Sequence, residues 1–392
     1  MDYKVKYFDY PLQFKAHEKE YLRIIKETLS RGAFILGEEL SRFEENLARF
    51  AGTKYAVGVG NCTEALLLAY YIAGIGPGDE VISVSHTFVA TIETIRFLRA
   101  KPVLVDIADD HNMDAGLIES AITPKTKAIV PVHLNGRICG HMDKLMGIAQ
   151  KHNLTVIEDA AQSLGATYRG QGAGGFGLAG CFSFYPAKLL GAFGDAGAVV
   201  TNDGEIAEKL RAARNHGRGR GSEISLWGLN CRMDNLQAAI LDYKLTHLTA
   251  WITRRREIAS IYNAGLSGIK ELRLPSPPED AGEHYDVFQN YEIMAERRDE
   301  LIAYLNRQGI EVMLPWGGKG VHQHAALGFD AVKLPRTEEL FSKALMLPMY
   351  PELSDSQVET VIGAVNNFFT VSLRAERSNP GVEIASAHPA SQ

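Results

Sequence analysis

Residues 180–197 of the chain read GCFSFYPAKLLGAFGDAG. An apolar, strand-like run ends at Ser183, turns at Pro186 and places Lys188 in a glycine-rich loop. Glycine permits backbone conformations and close approaches that other residues do not. A lysine among apolar groups is a poor surface charge, but its desolvated amine is well suited to forming a Schiff base. The competing interpretation is a surface lysine on a flexible loop, and this stretch alone does not separate the two.

An acidic residue upstream favours the Schiff-base interpretation. The segment Glu158-Asp159-Ala160-Ala161-Gln162 follows an apolar run, so Asp159 is expected at the end of a strand. A carboxylate in that position can pair with the ring nitrogen of a pyridinium cofactor. The sequence therefore predicts one site that contains both Lys188 and Asp159.

Composition bounds the class of protein. The 392 residues are enough for two domains with a large core, and 46% hydrophobic with 22% charged residues is ordinary for a soluble globular chain. The formal net charge of -6 implies no basic surface, so nucleic acid is not an expected partner. No apolar run approaches membrane-spanning length, so a membrane is not expected either. The four cysteines lack paired spacing, which favours reduced thiols over disulfides or a zinc site. We expect a soluble, cytoplasmic protein.

Strand-like and helix-like segments alternate from residue 55 onward. The predicted strands cover residues 55–59, 80–84, 102–106, 128–133 and 154–158, and the predicted helices between them cover 63–75, 87–99 and 142–152. Such alternation predicts an α/β fold with a mainly parallel sheet and helices on both faces. Ligands in such sheets bind beyond the carboxyl ends of the strands, where Asp159 and the turn at residues 61–63 are expected.

The remaining segments suggest the domain organisation. We predict a large domain over residues 1–250, a smaller α/β domain over 251–372 and a disordered tail over 373–392. The smaller domain is predicted to contain a strand at 291–294, a helix at 298–307, a strand at 310–313 and a final helix that ends near Phe369. In the large domain, Leu22, Ile25 and Leu29 have helical spacing, and a second helical stripe, formed by Leu40, Phe43, Leu47 and Phe50, is expected in the core.

Two glycine-rich segments could bind phosphate. The turn at residues 58–63 reads GVGNCT and lacks the third glycine of a dinucleotide fingerprint, so a single phosphate at the helix N-terminus is the better ligand. The segment at residues 170–175 lacks a following helix, and we assign it to a flexible connection. His216, Arg218 and Arg220 form a basic loop that is either a solvated turn or a site for an anionic nucleotide sugar.

Several short motifs occur in an order known from one family. They are Asn61-Cys62-Thr63-Glu64-Ala65-Leu66, Gly76-Pro77-Gly78-Asp79-Glu80-Val81, Thr87-Phe88-Val89-Ala90-Thr91, Ala100-Lys101-Pro102-Val103, Glu158-Asp159-Ala160-Ala161-Gln162, the lysine stretch, Asn215-His216-Gly217 and Gly228-Leu229-Asn230-Cys231-Arg232-Met233. From about residue 34 to 369, the chain resembles the DegT/DnrJ/StrS family of pyridoxal-phosphate-dependent nucleotide-sugar aminotransferases. The resemblance implies a fold-type-I, aspartate aminotransferase-like α/β transferase.

The resemblance also implies roles for individual residues. Lys188 would form the Schiff base with pyridoxal 5'-phosphate and move the proton during transamination, and Asp159 would pair with the pyridine nitrogen. The other cofactor contacts it implies are Phe88 against the ring, Gln162 near the phenolic oxygen, and Cys62, Thr63 and Ser183 at the phosphate, with Cys62 where the family usually has glycine. Asn230 is expected to reach the phosphate of the neighbouring subunit, which implies a homodimer with shared active sites.

The chain departs from the family pattern at residues 314–324. The segment reads LPWGGKGVHQH, and we expect it to overhang the mouth of the substrate site. His322 and His324 lack a persuasive third ligand, so no metal is predicted.

The expected reaction moves an amino group from an amino acid, glutamate in this family, to a keto group of a nucleotide-linked sugar. Cyclitol transamination, sugar dehydration and a non-enzymatic regulatory role remain as alternatives; the retained Lys188 argues against dehydration, because a histidine replaces it in that branch.

Overall fold

The computed structural model describes residues 3–219 and 223–378 of the chain. Its helices are α1 (Tyr10–Ala16), α2 (Glu18–Arg31), α3 (Glu38–Ala51), α4 (Cys62–Ile72), α5 (Ala90–Phe97), α6 (Ile118–Ala121), α7 (Met142–Lys151), α8 (Gly204–Ala213), α9 (Asn235–Leu245), α10 (Leu248–Leu266), α11 (Arg298–Arg307), α12 (Pro335–Lys343) and α13 (Asp355–Ser378). Short 3-10 turns lie at Pro315–Gly318, Val321–Gln323 and Ala325–Leu327.

The strands form one large and two small sheets in the described part of the chain. They are β1 (Tyr55–Val59), β2 (Glu80–Val84), β3 (Lys101–Val105), β4 (Thr126–Ile129), β5 (Thr155–Asp159), β6 (Thr167–Tyr168), β7 (Gln171–Gly172), β8 (Ala179–Ser183), β9 (Gly197–Thr201), β10 (Leu272–Arg273), β11 (His284–Tyr285), β12 (Tyr291–Ala295) and β13 (Ala344–Leu347). The large sheet has the order β1-β9-β8-β5-β4-β2-β3, and β9 runs antiparallel to both of its neighbours.

The mainly parallel sheet is buried on both faces, because the connections between parallel strands place helices there. Every residue of β2 and β9 is buried, as expected for strands that helices cover on both sides. In β2, Ile82 and Val84 belong to one apolar cluster and Val81 to the cluster on the opposite face. The predicted α/β fold is therefore confirmed. Because β1, β2, β4, β5 and β8 point the same way, the residues that follow them meet at one edge of the sheet.

A third apolar cluster belongs mainly to the C-terminal part of the chain. Helices α10, α11 and α13 pack around the antiparallel sheet β10-β12-β13, with Tyr262, Leu301 and Val361 fully buried. Val5 also belongs to this cluster and pairs with Ile310 through an isolated bridge. The N-terminal segment thus packs against the C-terminal part, while the predicted boundary at residue 250 stays a prediction.

Two local features differ from expectation, at residues 310–313 and at the end of the final helix. Residues 310–313 make isolated bridges to Val5 and Met346 instead of a strand. The final helix continues past Phe369 to Ser378, so residues 373–378 are helical, and the rest of the predicted tail lies outside the described residues. On α2, the sequence left open which apolar residues face the core: Leu22 and Leu29 are 52% and 47% exposed, Ile25 is half-buried, and Tyr21, Ile24 and Thr28 are buried. Helical spacing alone does not say which of two apolar faces the core takes.

Within the described ranges, no helix is both long enough and apolar enough to cross a membrane.

Candidate active site

A cavity of about 670 Å³ opens at the edge of the large sheet where the parallel strands end. Three parts of the chain line it: the segments that follow the strands, the N-terminal segment near Tyr7, and residues 289–292 and 311–316 of the C-terminal part. Seven of the eight predicted site residues line this cavity, namely Cys62, Thr63, Phe88, Asp159, Gln162, Ser183 and Lys188. Residues far apart in sequence are therefore brought together because they follow neighbouring strands.

Lys188 lies in the loop between β8 and β9, which we call the lysine loop (residues 184–196). The loop is closed at its base by the amide of Phe184, which donates to the Ala196 carbonyl at 2.8 Å. The backbone N–H of Lys188 donates to the Tyr185 carbonyl at 2.8 Å. Desolvation lowers the pKa of the Lys188 amine from its usual value, although the charge of Asp159 opposes this shift. A lowered pKa increases the fraction of neutral amine, which is the nucleophilic form.

Asp159 is the last residue of β5, and its carboxylate is buried. Its Oδ2 accepts a hydrogen bond from the Thr91 hydroxyl at 2.6 Å, and its Oδ1 accepts one from the Ala161 amide at 3.2 Å. Burial raises the pKa of this carboxyl, and the two hydrogen bonds oppose the rise. A cationic partner in the cavity would favour the ionised form still further. The site can therefore hold a protonated ring nitrogen.

The turn between β1 and α4 provides an anion site. Asn61 caps α4, accepting a hydrogen bond from the Glu64 amide at 2.9 Å, and Cys62 and Thr63 of the first turn line the cavity. A Cβ added at Gly197 would lie 2.5 Å from the Asn61 carbonyl carbon, so only glycine lets β9 approach this turn. Ser183 lines the same cavity. A helix N-terminus beside a hydroxyl is suited to a phosphate group.

Phe88 and Gln162 both line the cavity, but Phe88 is exposed and Gln162 is buried. Gln162 is buried, and its Oε1 accepts from the Asn135 amide at 2.8 Å and from Asn290 Nδ2 at 3.4 Å. Phe88 is 56% exposed, and its ring centroid lies 5.8 Å from that of Trp316. Trp316 belongs to the segment that we call the mouth loop (residues 314–320). The structure thus places the predicted overhanging segment at the cavity.

Asn230 is the one predicted residue that does not line this cavity. It is exposed and pairs with Asn215 through an isolated antiparallel bridge. The adjacent basic loop places Arg218 in a bridge with Ile224, while Arg220 lies outside the described residues. An exposed position is compatible with a contact to a second subunit, and that role stays a prediction.

The glycine-rich segment at residues 170–175 and the segment with His322 both make contacts within the chain. The glycine-rich segment wraps around Glu158, whose carboxylate accepts hydrogen bonds from the amides of Gly174, Phe176 and Gly177 at 2.7–2.9 Å. Its amides therefore bind an anion that the chain itself supplies. His322 is buried, with Nδ1 2.6 Å from the Ser85 hydroxyl, whereas His324 is exposed. Among the described residues, no group of three or more potential ligands could hold a metal ion.

Sequence reasoning missed several residues that build the cavity. They are Tyr7, His86, Thr91, Asn135, Tyr185, Gln289, Asn290 and Glu292. Thr91 could have been found, because it lies within a recognised motif, four residues after Thr87, whose hydroxyl it meets at 2.7 Å. The contact from the Tyr7 hydroxyl to Asn290 Oδ1, at 3.1 Å, joins segments 283 positions apart, and no local pattern predicts it.

Comparison with known proteins agrees with this geometry. The model of the DegT/DnrJ/EryC1/StrS aminotransferase family matches residues 15–366. The chain belongs to this family. A UDP-N-acetyl-3-dehydro-alpha-D-glucosamine 3-aminotransferase from Acidithiobacillus ferrooxidans is 42% identical, covering 90% of this chain and 95% of its own. A protein from Geobacillus stearothermophilus named pleiotropic regulatory protein is 41% identical, covering 91% of this chain and 96% of its own.

A solved structure supports the same assignment. The X-ray structure of Streptomyces venezuelae DesV in complex with a ketimine intermediate has a TM-score of 0.89 and 40% identity, covering 93% of this chain and 98% of its own. The predicted family, the fold-type-I transferase architecture and the transaminase class are confirmed. Pyridoxal phosphate is likewise confirmed as the cofactor, since structures of this fold carry its PMP form. The buried carboxylate, the anion site and the desolvated lysine of this cavity fit that group.

Proposed function

We propose that the chain transfers an amino group from an amino acid, glutamate by expectation, to a keto group on a nucleotide-diphosphate-linked sugar. The observation that carries this proposal is the meeting of Lys188 and Asp159 in one cavity beside the α4 anion site. A desolvated amine, a buried carboxylate and a phosphate site are the three protein groups that pyridoxal phosphate chemistry requires.

Different residues would bind different parts of the cofactor. Pyridoxal phosphate, when bound, supplies a conjugated ring that accepts the electrons of the bond broken at the donor Cα. Asp159 would hold a proton on the ring nitrogen, while Cys62, Thr63 and Ser183 bind the phosphate. Phe88 would cover the ring face, and Gln162 would donate a hydrogen bond to the phenolic oxygen through Nε2.

Lys188 would act as the acid and base of the reaction. Its amine, with a pKa below the usual lysine range, can take a proton from the donor Cα and deliver it to C4′ of the cofactor. The same amine binds the cofactor between turnovers, so one residue serves both purposes. The fixed lysine loop keeps this amine on one side of the cavity.

A nucleotide-linked keto-sugar is the substrate favoured by the relatives' names. The Acidithiobacillus ferrooxidans relative is named for a UDP-linked sugar, and the cavity is large enough for a cofactor with a sugar beside it. Cyclitol transamination remains the alternative enzymatic reaction. A panel of UDP- and dTDP-linked keto-sugars, run against a keto-cyclitol with mass detection of the amino product, separates the two.

The first test is an absorption spectrum of the purified full chain with pyridoxal phosphate, before and after glutamate. The expected result is a band from lysine-bound cofactor that glutamate converts to the band of the amine form. A cofactor band that ignores glutamate would reject glutamate as the donor and direct the search to other amino acids. Absence of any lysine-bound band would contradict the proposal.

The homodimer is the second part of the proposal. Apolar side chains are exposed on α2, on the segment before α3 and around Asn230, namely Leu22, Leu29, Phe34, Ile35, Leu36, Ile224, Trp227 and Leu229. Trp227 is 89% exposed, which is unusual for so large an apolar group. A second copy of the chain would cover these residues and bring Asn230 to its neighbour's phosphate site. A cytoplasmic location completes the proposal, supported by four free cysteines.

Subunit complementation tests the shared site. Lys188→Ala and Asn230→Ala variants should each be weakly active, and mixing them should restore activity. In a mixed dimer one site carries both defects and the other carries none, so random reassociation leaves about a quarter of all sites intact. If Asn230 served its own subunit, every site would keep a defect and mixing would restore nothing.

A regulatory role is the second candidate, because the Geobacillus stearothermophilus relative carries that kind of name. This role requires the cavity to bind cofactor without turnover. Conversion of the lysine-bound band by glutamate, together with an amino-sugar product, would exclude a purely regulatory protein. A cofactor band without turnover on any sugar or cyclitol would favour the regulatory role.

A further inference from the structure

Two glutamine side chains grip the backbone of the lysine loop. Gln289 lies between β11 and β12, and its Oε1 accepts from the Leu189 amide at 2.7 Å while its Nε2 donates to the Ala187 carbonyl at 2.9 Å. Gln237 of α9 makes the equivalent pair with a single residue, Phe193, whose N–H and carbonyl lie 2.9 Å from its Oε1 and Nε2. Gln289 therefore holds the two residues on either side of Lys188, whereas Gln237 holds a residue five positions away.

Only a side-chain amide can make both contacts of Gln289. A carboxylate accepts but does not donate, so glutamate would face the Ala187 carbonyl with a second acceptor. Methionine would fill a similar volume and satisfy neither backbone group. Gln289 is buried, so a backbone group that loses its partner here would not regain one from bulk water.

The backbone that carries Gln289 is itself fixed. Arg255 of α10 is fully buried, and its Nη1 donates to the carbonyls of Phe288, Gln289 and Met349 at 2.9–3.1 Å. On the other side, a Cβ added at Gly136 would lie 2.5 Å from the Phe288 nitrogen, so the turn at Gly136 packs directly on this segment. Gln289 is thus held between the two parts of the chain before it reaches the lysine loop.

We propose that Gln289 is a positioning residue for Lys188, a role that rests on the proposed transaminase function. It fixes the backbone on both sides of the lysine and thereby fixes where the amine can reach. Because Gln289 belongs to the C-terminal part, it also ties the position of the lysine to the packing of that part against the large sheet. Gln289 does not need to contact the reacting atoms to act in this way.

The first consequence concerns the rate of proton transfer. A misplacement of about 1 Å can cost up to about a hundredfold in rate, so Gln289→Met is expected to lower kcat by about ten- to a hundredfold. The KM for the sugar should change little, because Gln289 bonds backbone instead of substrate. The pH at which the band of lysine-bound cofactor changes should also shift, since the environment of the amine changes.

Gln237→Met provides the matched control. It removes the same two kinds of hydrogen bond from the same loop, but away from Lys188. It should keep kcat within about threefold and leave the pH of the spectral change where it is, by the same positional reasoning. Equal effects of the two substitutions on kcat and on the spectral pH would overturn the proposal, because both would then act only by loosening the loop.

Hydrogen exchange tests the contact without a variant and without activity. In the full-length protein, with and without pyridoxal phosphate, exchange is followed by mass spectrometry with fragmentation to single residues. The Leu189 amide, held by Gln289 at 2.7 Å, should exchange far more slowly than the exposed Tyr185 amide, whose bond to the Ser183 hydroxyl is 3.3 Å long. Equally fast exchange of the two amides would overturn the proposal even if Gln289→Met failed to fold.

The two measurements separate this inference from the proposed function. Slow exchange at Leu189 in a protein that never converts glutamate or sugar would support the hydrogen bond from Leu189 to Gln289 and reject the transaminase. Fast exchange at Leu189 in an active enzyme would reject Gln289 as a positioning residue and leave the transaminase in place.

Discussion

The lysine loop and the mouth loop border the same cavity but are held in different ways. Three side chains bind the backbone of the lysine loop: Gln237 and Lys244 of α9, and Gln289 from the segment between β11 and β12. The mouth loop is tethered at its ends, where Met313 bonds Met346 and Val321 bonds Ser85. Between those ends, Trp316, Gly317 and Gly318 all have positive φ, and among the described residues none accepts a hydrogen bond from the Trp316 indole N–H.

This difference separates chemistry from specificity. Lys188, which is proposed to move the proton, lies on a backbone that several side chains hold by hydrogen bonds, so its position is fixed from more than one direction. The group expected at the substrate mouth lies on a loop tethered mainly at its ends, and Trp316 within it contacts the Phe88 ring and packs against the apolar core. The departure from the family pattern that the sequence suggested lies in the second loop. A sequence can vary there without moving Lys188, because among the described residues no hydrogen bond joins the two loops.

Replacing Lys188 should give the largest effect. Lys188→Ala removes the amine that binds cofactor and moves the proton, so turnover should fall by about 10²- to 10⁴-fold or more. The protein should remain folded, because Lys188 faces a cavity and contributes no core contact that alanine cannot replace. Steady-state rates with circular dichroism check this expectation. Turnover within tenfold of the wild type would remove the basis for the proposed mechanism.

Gly191→Ala should damage the lysine loop itself. A Cβ at this position would lie 2.2 Å from the Pro186 carbonyl oxygen, which would force the two sides of the loop apart around Lys188. Overpacking of this kind costs about 1–3 kcal/mol, and turnover should fall with it. Chemical denaturation measures the cost. Gly147→Ala in α7 is the control, since its Cβ would meet nothing within 4 Å and should not destabilise the fold.

Part of the fold and of the candidate site could be predicted from the sequence. The alternating segments were enough to predict the α/β fold and to bring Asp159 and the turn at residues 61–63 to one edge of the sheet, because parallel strands converge there. The places of Phe88, Gln162 and Ser183 in the site were predicted from the family resemblance. The hydrogen bonds from Gln237 and Gln289 to the lysine loop were not predictable. Gln289 bonds residues 100 and 102 positions away, and such a contact leaves no local period in the sequence.

Burial was a second limit on prediction. Lys188 and Lys244 are both lysines with a pKa lowered by desolvation, but Lys244 donates to the Gly191 carbonyl instead of facing the cavity. The stripe at Leu22 and Leu29 likewise has helical spacing and is exposed. Sequence periodicity identifies an amphipathic helix, whereas the choice between core and interface depends on neighbours that lie elsewhere in the chain.

Trp316→Ala should change the substrate mouth while leaving the lysine chemistry intact. Loss of an aromatic pair such as Trp316 with Phe88 is worth about 0.5–1.5 kcal/mol, so the KM for the sugar should rise about two- to tenfold. Conversion of bound cofactor by glutamate should keep its rate. Trp316→Phe retains a ring and should lie close to the wild type. An equal loss in both half-reactions would show that the two loops are coupled.

Lys244 should make stability depend on pH. Desolvation lowers its pKa to about 8 in the folded chain, so above that value the unfolded chain binds more protons than the folded one. The free energy of unfolding should therefore rise as pH increases from about 8, by at most about 1.4 kcal/mol per pH unit. Denaturation at pH 7, 8 and 9 measures this slope. Lys244→Met should reduce it, and substitution of the exposed Lys209 should not.

Gly317→Ala should have the smallest effect on turnover, because Gly317 needs its backbone conformation, whereas Gly191 needs the space that a Cβ would fill. Gly317 has φ +70 and open space around its missing Cβ, so alanine meets no atom but must adopt a left-handed conformation. That conformation costs about 1–2 kcal/mol for most residues, and Gly317→Asn should cost less, since asparagine tolerates it. Both variants should keep the lysine chemistry, as judged from the spectral response to glutamate. If Gly317→Ala instead slowed that response as much as Gly191→Ala, the mouth loop would be part of the support for Lys188, and the contrast between the two loops would be wrong.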